Sequence, residues 1–455
     1  RPWSRPIATL PIRRSFWTSE RTSPVSRIVV IGAGPMGLAA AHRAATLGHE
    51  VDLVEAGDRA GGMAAHFDFG GVSIERFYHF VCKTDAPTFA LMEELGIADR
   101  MRWVGTSMGY FMGSKVHPWG DPISLLTFPH LDLVSKIRTG LQMFWTTKRP
   151  TMEGIEGLTA RQWIEGGSGR TVYERLWKRL MELKFYELAD EVSASWIATR
   201  VKRIGNSRRS IFQEELGYID GGSETLVEAL TAAITEKGGR VHLSTPATRV
   251  ETTAGRIIGV TAGGRLFPAD AVISTVPTPL ISRLVPDMPD DWKARYDAIR
   301  NIGVVCLILK LKRPVTKHFW VNIVDDDIPI PGIIEFSNLR PTGETIVYVP
   351  YYMPVTQPKW AWSDEAFIAE AMAAISRINP AIEPDDLIDA KVGRLTHAQP
   401  VCEPNFRDRL PPIETPINGL QIADTCYYYP EDRGVAESIR YGRMMAEAAA
   451  LHEVE

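Results

Sequence analysis

The first clear hydrophobic pattern in the chain lies in residues 28–55, where two short apolar runs flank a segment with helical spacing. Residues 28–31 form a fully apolar run typical of a buried strand, and an alanine-rich segment with helical spacing follows them and ends at Gly48. A second apolar run, residues 51–55, ends in an acid. A strand, a helix and a strand in this order predict a parallel βαβ unit of an α/β fold.

Two long stretches further along have patterns of their own. In residues 81–214 the apolar positions recur at helical spacing, so this stretch is predicted to be mostly helical. The spacing is clearest in residues 86–95, 131–145 and 173–184. In residues 286–394 the runs 303–311 and 345–350 are short, β-branched and aromatic, with turn signals between them. They predict an antiparallel sheet.

The turn between the first strand and the first helix has the sequence Gly32-Ala33-Gly34-Pro35-Met36-Gly37. Gly32 permits a tight turn, Gly34 allows the backbone to approach a phosphate, and Gly37 allows the helix to pack on the strand. The helix N-terminus adds unpaired N–H groups and a partial positive charge. Glu55 lies where an acid binds the ribose of a dinucleotide. These features predict a dinucleotide site.

The residues after the second strand indicate which dinucleotide is bound. The sequence Glu55-Ala56-Gly57-Asp58-Arg59-Ala60-Gly61-Gly62 resembles the extended flavin fingerprint of the FAD-dependent amine oxidase, protoporphyrinogen oxidase and UDP-galactopyranose mutase superfamily. Later segments resemble that superfamily in chain order: Gly221-Gly222 and residues 241–250, 269–277 and 419–425. The cofactor is therefore expected to be FAD. The expected cofactor contacts are Gly32, Gly34, Pro35, Met36, Gly37, Glu55, Ala56, Arg59, Gly61, Gly62, Met63, Val250, Asp424, Gly434 and Val435.

Two positions depart from the pattern of the superfamily. Many amine oxidases have an arginine two residues after the ribose acid and another directly after the Gly-Gly pair, where this chain has Gly57 and Met63. Arg59 can supply part of the missing positive charge. The departures argue against a generic amine oxidase. A closer resemblance is to a group of protoporphyrinogen-oxidase-like flavoproteins that are often encoded beside glycan-synthesis enzymes. The chain resembles that group in residues 75–80, 190–193 and 429–434.

The resemblance implies an α/β fold class, with a Rossmann-type FAD-binding domain of glutathione-reductase-like architecture and a second, α+β substrate domain. The FAD-binding domain is expected to be discontinuous and to consist of residues 27–80, 215–285 and 395–455. Residues 81–214 and 286–394 are expected to form the substrate domain, with the sheet roofed by helices. Residues 1–26, which are rich in arginine and hydroxyl side chains, are expected to be an extension outside the fold.

Composition excludes several other classes of protein. A hydrophobic content of 45% and a charged content of 23% are ordinary globular values, and a net charge of −4 argues against a nucleic-acid surface. Four scattered cysteines, Cys82, Cys306, Cys402 and Cys426, have no metal-ligand spacing, so no metal site and no disulfide framework are predicted. They favour a reducing, cytoplasmic setting. No apolar run is long enough to predict a membrane-spanning helix.

A bound flavin would supply the redox chemistry, so the protein has to position a substrate and manage protons. Three catalytic candidates lie in segments that the superfamily places near the flavin. His79 resembles a histidine of the mutases and can carry protons near neutral pH, or it can simply shape the flavin pocket. Lys184 matches a lysine of flavin amine oxidases by approximate chain position, and its alternative is a solvent-facing lysine at a helix end. Tyr428 belongs to a run of three tyrosines, of which at least one is expected to line the site.

The expected substrate contacts lie in the same segments. They are Arg76, Tyr78, Tyr427, Tyr429 and Arg433. Arg76 can hold an anionic substrate group, or it can form an ion pair with its neighbour Glu75. Arg433 can contact the substrate, or it can satisfy Glu431 or Asp432 locally.

One predicted helix carries an apolar stripe with basic flanks. The stripe consists of Leu131, Val134, Ile137, Leu141 and Phe144, and the basic residues are Lys136, Arg138, Lys148 and Arg149. Such a face can lie in a bilayer interface, but packing on the substrate domain is favoured here. A lipid-linked substrate would favour a peripheral membrane contact instead.

Three functions remain open at this point. The leading hypothesis is an FAD-dependent oxidoreductase that removes a hydride from a small or lipid-linked substrate bound between the two domains. A mutase-like enzyme would isomerise a nucleotide sugar without net redox change and would need arginines such as Arg76, Arg394 and Arg433. A flavin-stabilised scaffold or assembly subunit is the third. No second nucleotide motif is present, so the electron acceptor, like the substrate and the oligomeric state, stays open.

Overall fold

The computed structural model describes residues 25–450. The expected extension at residues 1–26 therefore lies outside the described residues, apart from its last two positions. The strands are β1 Arg27–Ile31, β2 Glu50–Val54, β3 His66–Asp68, β4 Ser73–Glu75, β5 Met101–Thr106, β6 Met108–Met112, β7 Lys115–Trp119, β8 Arg208–Ser210, β9 Gln213–Ile219, β10 Arg240–His242, β11 Ala247–Thr253, β12 Arg256–Ala262, β13 Arg265–Pro268, β14 Ala271–Ser274, β15 Asn301–Leu311, β16 Trp320–Ile323, β17 Gly332–Glu335, β18 Thr345–Met353, β19 Leu387–Pro400 and β20 Leu420–Ile422.

The α-helices are α1 Pro35–Thr46, α2 Ala86–Glu94, α3 Pro122–Thr127, α4 Leu133–Lys148, α5 Ala160–Gly167, α6 Arg170–Val172, α7 Lys178–Phe185, α8 Ala194–Asn206, α9 Ser223–Glu236, α10 Ile281–Leu284, α11 Asp290–Asp297, α12 Asp364–Ile378, α13 Phe406–Arg409 and α14 Val435–Ala449. A π-helical segment, Tyr173–Trp177, joins α6 to α7.

A five-stranded parallel sheet forms the first domain, in the order β10-β2-β1-β14-β20. Its central strand, β1, has four consecutive buried apolar residues because helices and loops cover both faces of the sheet. The five strands come from three separate parts of the chain, so the sheet itself is assembled from discontinuous segments. This architecture is the predicted Rossmann-type α/β fold.

Helix α1 lies between the parallel sheet and the neighbouring helix α14. Its side chains on these sides are mostly alanines, and they are fully buried. On α14, Gly442 faces α1 so closely that an added Cβ would collide with the Met36 carbonyl oxygen and lie 3.0 Å from the Ala40 nitrogen. Small residues therefore set the distance between the two helices.

A seven-stranded sheet forms the second domain, in the order β19-β15-β18-β17-β16-β6-β7. Strand β15 is almost wholly buried because it pairs along its length with β18 on one side and β19 on the other. Helix α12 packs its buried apolar residues into the same core. The predicted sheet within residues 286–394 is therefore present, but β19 continues beyond the expected boundary at residue 395 as far as Pro400.

Two strands of this sheet come from the stretch that the sequence predicts to be mostly helical. Strands β6 and β7 form a hairpin whose two-residue turn, Gly113-Ser114, has positive φ at both positions, as a type I′ turn requires. Strand β6 then pairs in parallel with β16, so the sheet is mixed and not purely antiparallel. The helical prediction is wrong for these strands, since the short hairpin interrupts longer helical segments.

The apolar stripe predicted on α4 does not pack on the substrate domain. Leu131, just before the helix, is buried, whereas Val134, Ile137, Leu141 and Phe144 are 52–65% exposed. The buried residues of α4 are Ser135, Thr139 and Thr146. This small polar side packs against α8, where a Cβ at Gly205 would lie 2.5 Å from a methyl group of Thr147. The favoured prediction of core packing is therefore wrong for most of the stripe.

We expect Gly442→Ala to lower the free energy of unfolding of the FAD-loaded protein by about 1–3 kcal/mol, because the new methyl group forces α1 and α14 apart. The matched control is Gly166→Ala on α5, where an added Cβ meets no atom within 4 Å. There we expect no loss, or a gain of up to about 1 kcal/mol from helix propensity. Chemical denaturation measures both changes, and equal stabilities of the two variants would contradict the close packing of α14.

Candidate functional site

A cleft of about 640 Å³ lies at the carboxyl edge of the parallel sheet. It is lined by residues at the ends of four neighbouring strands: Gly32, Glu55 and Thr275 directly follow β1, β2 and β14, and Asp424 is the second residue after β20. Ligands of open α/β sheets bind at this edge, because the loops diverge there and leave a crevice. The cleft is therefore the candidate cofactor site.

Glycines shape the phosphate end of the cleft. Gly32 has a φ of +98°, and an added Cβ at Gly37 would collide with the Gly32 carbonyl oxygen. Gly62 has a φ of +54°, and its Cβ would lie 3.0 Å from Gly34 Cα, so two backbone loops meet here without side chains between them. Such a bare backbone surface can accommodate a pyrophosphate.

Two helices begin at the cleft, and neither has a side-chain cap. Helix α1 starts after Gly34 and α14 starts after Gly434, and no side chain of either N-cap residue accepts a hydrogen bond from the first turn. Pro35 has no N–H, so in α1 the N–H groups of Met36 and Gly37, and in α14 those of the first turn, are left without an N-cap side chain and can meet an anionic or carbonyl partner, and both helix dipoles add positive potential. A dinucleotide with a pyrophosphate and a flavin carbonyl fits this arrangement.

The Glu55 carboxylate holds the two loops that form the ribose end of the cleft. One of its oxygens accepts a hydrogen bond from the Ala33 N–H at 2.7 Å, and the other accepts one from the Gly57 N–H at 2.7 Å. The carboxylate lines the cleft with Ala56. Asp424 has a comparable role on the opposite side, where it accepts hydrogen bonds from the N–H groups of Thr278 and Cys426.

Most of the predicted cofactor contacts line this cleft. They are Gly32, Gly34, Pro35, Met36, Glu55, Ala56, Gly62, Met63, Asp424, Gly434 and Val435. Gly37 supports the cleft from behind, through its approach to Gly32. Gly61 does so by donating its N–H to the Ala33 carbonyl at 2.7 Å.

Two predicted cofactor contacts lie elsewhere. Val250 is wholly buried in a core beneath the cleft, and Pro246, Ala247 and Thr248 line the wall in its place. The prediction is off by a few residues because strand β11 begins at Ala247, and only its first residues reach the cleft. Arg59 is exposed and donates a hydrogen bond to the His66 carbonyl at 3.1 Å, beside a separate surface groove.

Several further residues line the cleft that the sequence did not single out as cofactor contacts, although Thr275 and Pro277 lie in the recognised segment 269–277. They include Thr275, Pro277, Leu280, Arg283 and His397. Thr275 holds the first glycine turn, because its hydroxyl donates to the Ile31 carbonyl at 2.8 Å. Its place directly after a predicted strand was the one available signal. Arg283 and His397 reach the cleft from outside the recognised segments.

A second cavity, of about 250 Å³, adjoins the cofactor cleft. The residues that line both spaces are Met63, His79, Arg433, Gly434 and Val435. The second cavity extends between α7, α8 and the seven-stranded sheet. Its other walls are mostly aromatic and aliphatic, which is typical of a site for a substrate with apolar parts.

His79 lies where the cofactor cleft and the second cavity meet. Its Nδ1 is buried and has no hydrogen-bond partner among the described residues. Burial lowers the pKa of His79, although the charge of Glu75 partly opposes this. The imidazole is therefore neutral at neutral pH, and a neutral imidazole can accept a proton.

Lys184, at the end of α7, points its amine into the second cavity. The Nζ atom lies 4.4 Å from the ring centroid of Tyr352 and 4.9 Å from that of Trp196. Burial lowers the pKa of Lys184 well below its ordinary value, and repulsion from Arg200 adds to the effect. The alternative of a solvent-facing lysine is thus wrong, while a catalytic role stays a prediction.

A compact charged group borders the second cavity near the start of α14. Arg200 donates a hydrogen bond to Asp432 at 2.6 Å, and Arg433 donates one to the Tyr352 hydroxyl at 3.1 Å. Burial alone would raise the pKa of Asp432, but the charges of Arg200, Arg433 and Lys184 lower it to about 2. Asp432 is therefore ionised at neutral pH.

Comparison with known proteins agrees with this geometry. Residues 37–428 match the flavin-containing amine oxidoreductase family. The chain belongs to that family. It is accordingly an FAD-dependent oxidoreductase, and the predicted cofactor and fold class are confirmed.

Individual relatives have the same fold over almost the whole chain. A 15-cis-phytoene desaturase from Glycine max is 24% identical in an alignment 455 positions long that covers 90% of this chain and 76% of the relative. A protoporphyrinogen-oxidase-like protein from Exiguobacterium sp. 255-15 superposes with a TM-score of 0.72 at 17% identity, over 94% of this chain and 99% of that one. Reduced UDP-galactopyranose mutase gives a TM-score of 0.66 at 16% identity, over 94% and 97%. The resemblance inferred from the sequence is confirmed.

Of the three consecutive tyrosines, one lines the cofactor cleft and none lines the substrate cavity. Tyr428 lines the cofactor cleft and not the substrate cavity, and its hydroxyl lies 2.7 Å from the Ser438 hydroxyl. Tyr427 donates to the Pro411 carbonyl, and Tyr429 bonds Ser193, so both hydroxyls are engaged in the core. Neither lines the substrate cavity, because the short 3₁₀ turn after β20 directs them away from it.

In the segment before His79, one of the two predicted substrate contacts lies in the cavity and the other does not. Tyr78 lines the substrate cavity as predicted, but Arg76 is exposed and lines neither space. Glu75 does not pair with Arg76, and instead accepts a hydrogen bond from Arg340 at 3.1 Å inside the protein. Adjacent residues of a strand point in opposite directions, so burial of Glu75 turns Arg76 outward.

The Gly221-Gly222 segment contacts this buried pair and not the cofactor cleft. A Cβ at Gly222 would lie 2.6 Å from the Arg340 guanidinium and 2.9 Å from Glu75 Oε1. His66 lies 3.3 Å from the same carboxylate oxygen. Although burial opposes it, the charges and hydrogen bonds of His66 and Arg340 lower the pKa of Glu75. The glycines thus make room for a buried charge network.

Within residues 25–450, no group of three or more histidine, cysteine or acidic side chains is arranged to hold a metal ion. None of the helices in this part of the chain combines the length and the apolar character needed to cross a bilayer.

When bound, FAD accepts the hydride, and with it the two electrons, that a substrate gives up. The residues that would hold it are those of the cofactor cleft. The protein itself supplies two open helix N-termini, the Glu55 and Asp424 carboxylates, and a neutral His79 at the border of the substrate cavity.

We expect Glu55→Gln to weaken FAD binding about tenfold to a hundredfold, because an amide nitrogen would face the N–H of Ala33 or Gly57 and the loop would move. Titration of the apoprotein with FAD, followed by flavin fluorescence, measures the affinity. Asp58→Asn is the matched control, since Asp58 is exposed and lines a neighbouring groove. If both variants bind FAD as the wild type does, Glu55 does not organise the site.

Proposed function

We propose that this oxidoreductase dehydrogenates a small or lipid-linked substrate bound in the cavity beside the cofactor cleft. The observation that carries the proposal is the continuity of the two spaces at Met63, His79 and Arg433. A substrate in the cavity would meet the flavin there, with water excluded by the aromatic walls. The phytoene desaturase relative supports dehydrogenation of an apolar molecule as the reaction class.

His79 is proposed to accept a proton from the substrate. It borders both spaces, its Nδ1 has no competing partner among the described residues, and its lowered pKa keeps it unprotonated at neutral pH. A base in this position would assist removal of a hydride by taking the accompanying proton.

The two alternative functions have weaker support. The mutase hypothesis needs arginines around a diphosphate, but Arg76 is exposed and Arg394 pairs with Asp364 at 2.5 Å. Only Arg433 of the three lines the cavity, and the two other arginines there, Arg200 and Arg203, are already paired with Asp432 and Asp85. The scaffold hypothesis predicts a filled or sealed space before the flavin, whereas a cavity of about 250 Å³ adjoins the cofactor cleft.

The proposal is tested by anaerobic reduction of the FAD-loaded protein. We expect loss of the oxidised-flavin absorbance on mixing with at least one of protoporphyrinogen, phytoene in liposomes, or a primary amine such as benzylamine. UDP-galactose with the chemically reduced protein tests isomerisation in the same series. A protein that takes up no FAD, or whose flavin none of the three compounds reduces, would overturn the proposal.

With the compound that reduces the flavin fastest, we expect His79→Gln to slow reduction about a hundredfold. In the wild type the rate should fall as the pH drops through the depressed pKa of His79, because the imidazole then becomes protonated. His79→Gln should lack this dependence. The control is His130→Gln, which lies outside both spaces. An unchanged pH profile in His79→Gln would show that His79 only shapes the pocket.

A peripheral membrane contact is also proposed, on the cytoplasmic side that four buried free cysteines favour. The contact surface, termed the α3–α4 face, consists of Ile123, Leu126, Leu133, Val134, Ile137, Leu141, Phe144 and Trp145, which are 52–66% exposed. Arg138 and Lys148 are exposed beside it. So large an apolar surface with basic neighbours fits the headgroup region of an anionic bilayer.

Leu141→Ser combined with Trp145→Ser should reduce binding to phosphatidylglycerol-containing vesicles at least about tenfold, because two apolar anchors are lost. The matched control combines Ile211→Ser with Phe212→Ser, two residues of similar exposure on another hairpin. Vesicle co-sedimentation measures binding, and sedimentation velocity measures association. If the face instead joins two copies of the chain and no vesicle binding occurs, the membrane proposal is wrong.

A further inference from the structure

The cavity beside the cofactor cleft combines apolar walls with a positively charged interior. Its walls include the rings of Tyr78, Trp177, Trp196 and Trp320. Its charged lining residues are Lys184, Arg200, Arg203, Arg433 and Asp432. Four cations thus face one carboxylate.

Two of the four cations have a carboxylate of their own. Arg203 donates two hydrogen bonds to Asp85, at 3.1 and 2.7 Å. Arg200 donates one to Asp432 at 2.6 Å. These pairs are compensated inside the protein and need no ligand.

The other two cations, Lys184 and Arg433, form no ion pair with any carboxylate of residues 25–450. Lys184 contacts the ring faces of Trp196 and Tyr352. Arg433 donates to the Tyr352 hydroxyl and to the Ala398 carbonyl, and its buried Nε has no partner in the described chain. Ring faces and neutral acceptors stabilise a buried cation less than a carboxylate does, so Arg433 keeps a poorly compensated positive charge, and the Lys184 amine adds a second when a bound anion raises its pKa.

We infer that the substrate of this cavity joins an apolar portion to an anionic group, a carboxylate or a phosphate, which Lys184 and Arg433 bind. The inference rests on the proposed function, since it places the substrate in the same cavity. The apolar portion would pack on the aromatic wall. Arg433 borders the cofactor cleft, so the anionic group would lie toward the flavin side of the cavity.

Binding of such an anion should depend on pH through Lys184. Burial and the charges of Arg200 and Arg433 lower the pKa of its amine, while Asp432 and Cys402 act in the opposite direction. A bound anion would raise this pKa, so the complex takes up a proton. Affinity should therefore be highest below the depressed pKa of free Lys184 and should fall as the pH rises through it.

The test is a ligand titration of the FAD-loaded protein, followed by the change in the flavin's visible spectrum. Octanoate and octyl phosphate are the anionic probes, and octan-1-ol is the neutral probe of the same chain length. We expect at least one anion to bind about tenfold or more tightly than the alcohol. The preferred anion identifies the group as a carboxylate or a phosphate.

Lys184→Met is the decisive variant, because methionine keeps the length of the side chain and removes its charge. It should weaken binding of the preferred anion about tenfold or more, leave the affinity for octan-1-ol unchanged, and abolish the fall of octanoate affinity with rising pH. Lys178→Met is the matched control on the same helix, where Lys178 is exposed and pairs with Glu182. It should bind all probes as the wild type does.

Three results would overturn the inference. They are equal affinities for alcohol and anions, no binding of any probe, and equal weakening of alcohol and anion in Lys184→Met. Inorganic phosphate is titrated in parallel, and equal affinity for it and for octyl phosphate would overturn the apolar half of the inference. The titrations need bound FAD but no turnover, so failure of the dehydrogenation proposal would be seen separately.

Discussion

The structure depends on the close approach of other backbone segments to the first turn of helix α1, at two points where a side chain would not fit. A side chain at Gly37 would collide with the Gly32 carbonyl, and a side chain at Gly442 would collide with that of Met36. Helix α1 is therefore held against both the turn after β1 and helix α14. This contact brings the N-termini of α1 and α14 to one cleft, which is why two separate ends of the chain bind one cofactor.

The parts of the fold that could be predicted are those in which local sequence determines local structure. The apolar run of β1, the glycine turn and Glu55 interact within a few tens of residues, and all three lie where the pattern places them. Strands β6 and β7 could not be predicted in the same way. Their hairpin is short, and its position in the sheet depends on pairing with β16, about 200 residues further along the chain.

The candidate site shows the same division. The resemblance pointed to His79 and Arg433, whose roles stay predictions and which line both spaces, but it could not distinguish Tyr78, which faces the cavity, from Arg76, which faces solvent. That difference follows from the burial of Glu75 against Arg340, a residue of the other domain. The prediction that the apolar stripe on α4 packs on the substrate domain was wrong for a related reason. Helical periodicity shows that one face of a helix is apolar, but it does not show which face packs on the protein. Helix α4 packs by its small polar face.

The network around Glu75 has a consequence for how substrates reach the flavin. Glu75 belongs to the cofactor domain and Arg340 to the sheet domain, and both are buried. Swinging the domains apart would take Arg340 away from Glu75 and leave the carboxylate with His66 and the Ser223 N–H as partners, so the loss of the ion pair opposes this movement. The two domains should therefore behave as one rigid body. Access to the cavity then depends on local movements of α7, α8 and their connecting turns, and the width of that passage limits the size of a molecule that can enter.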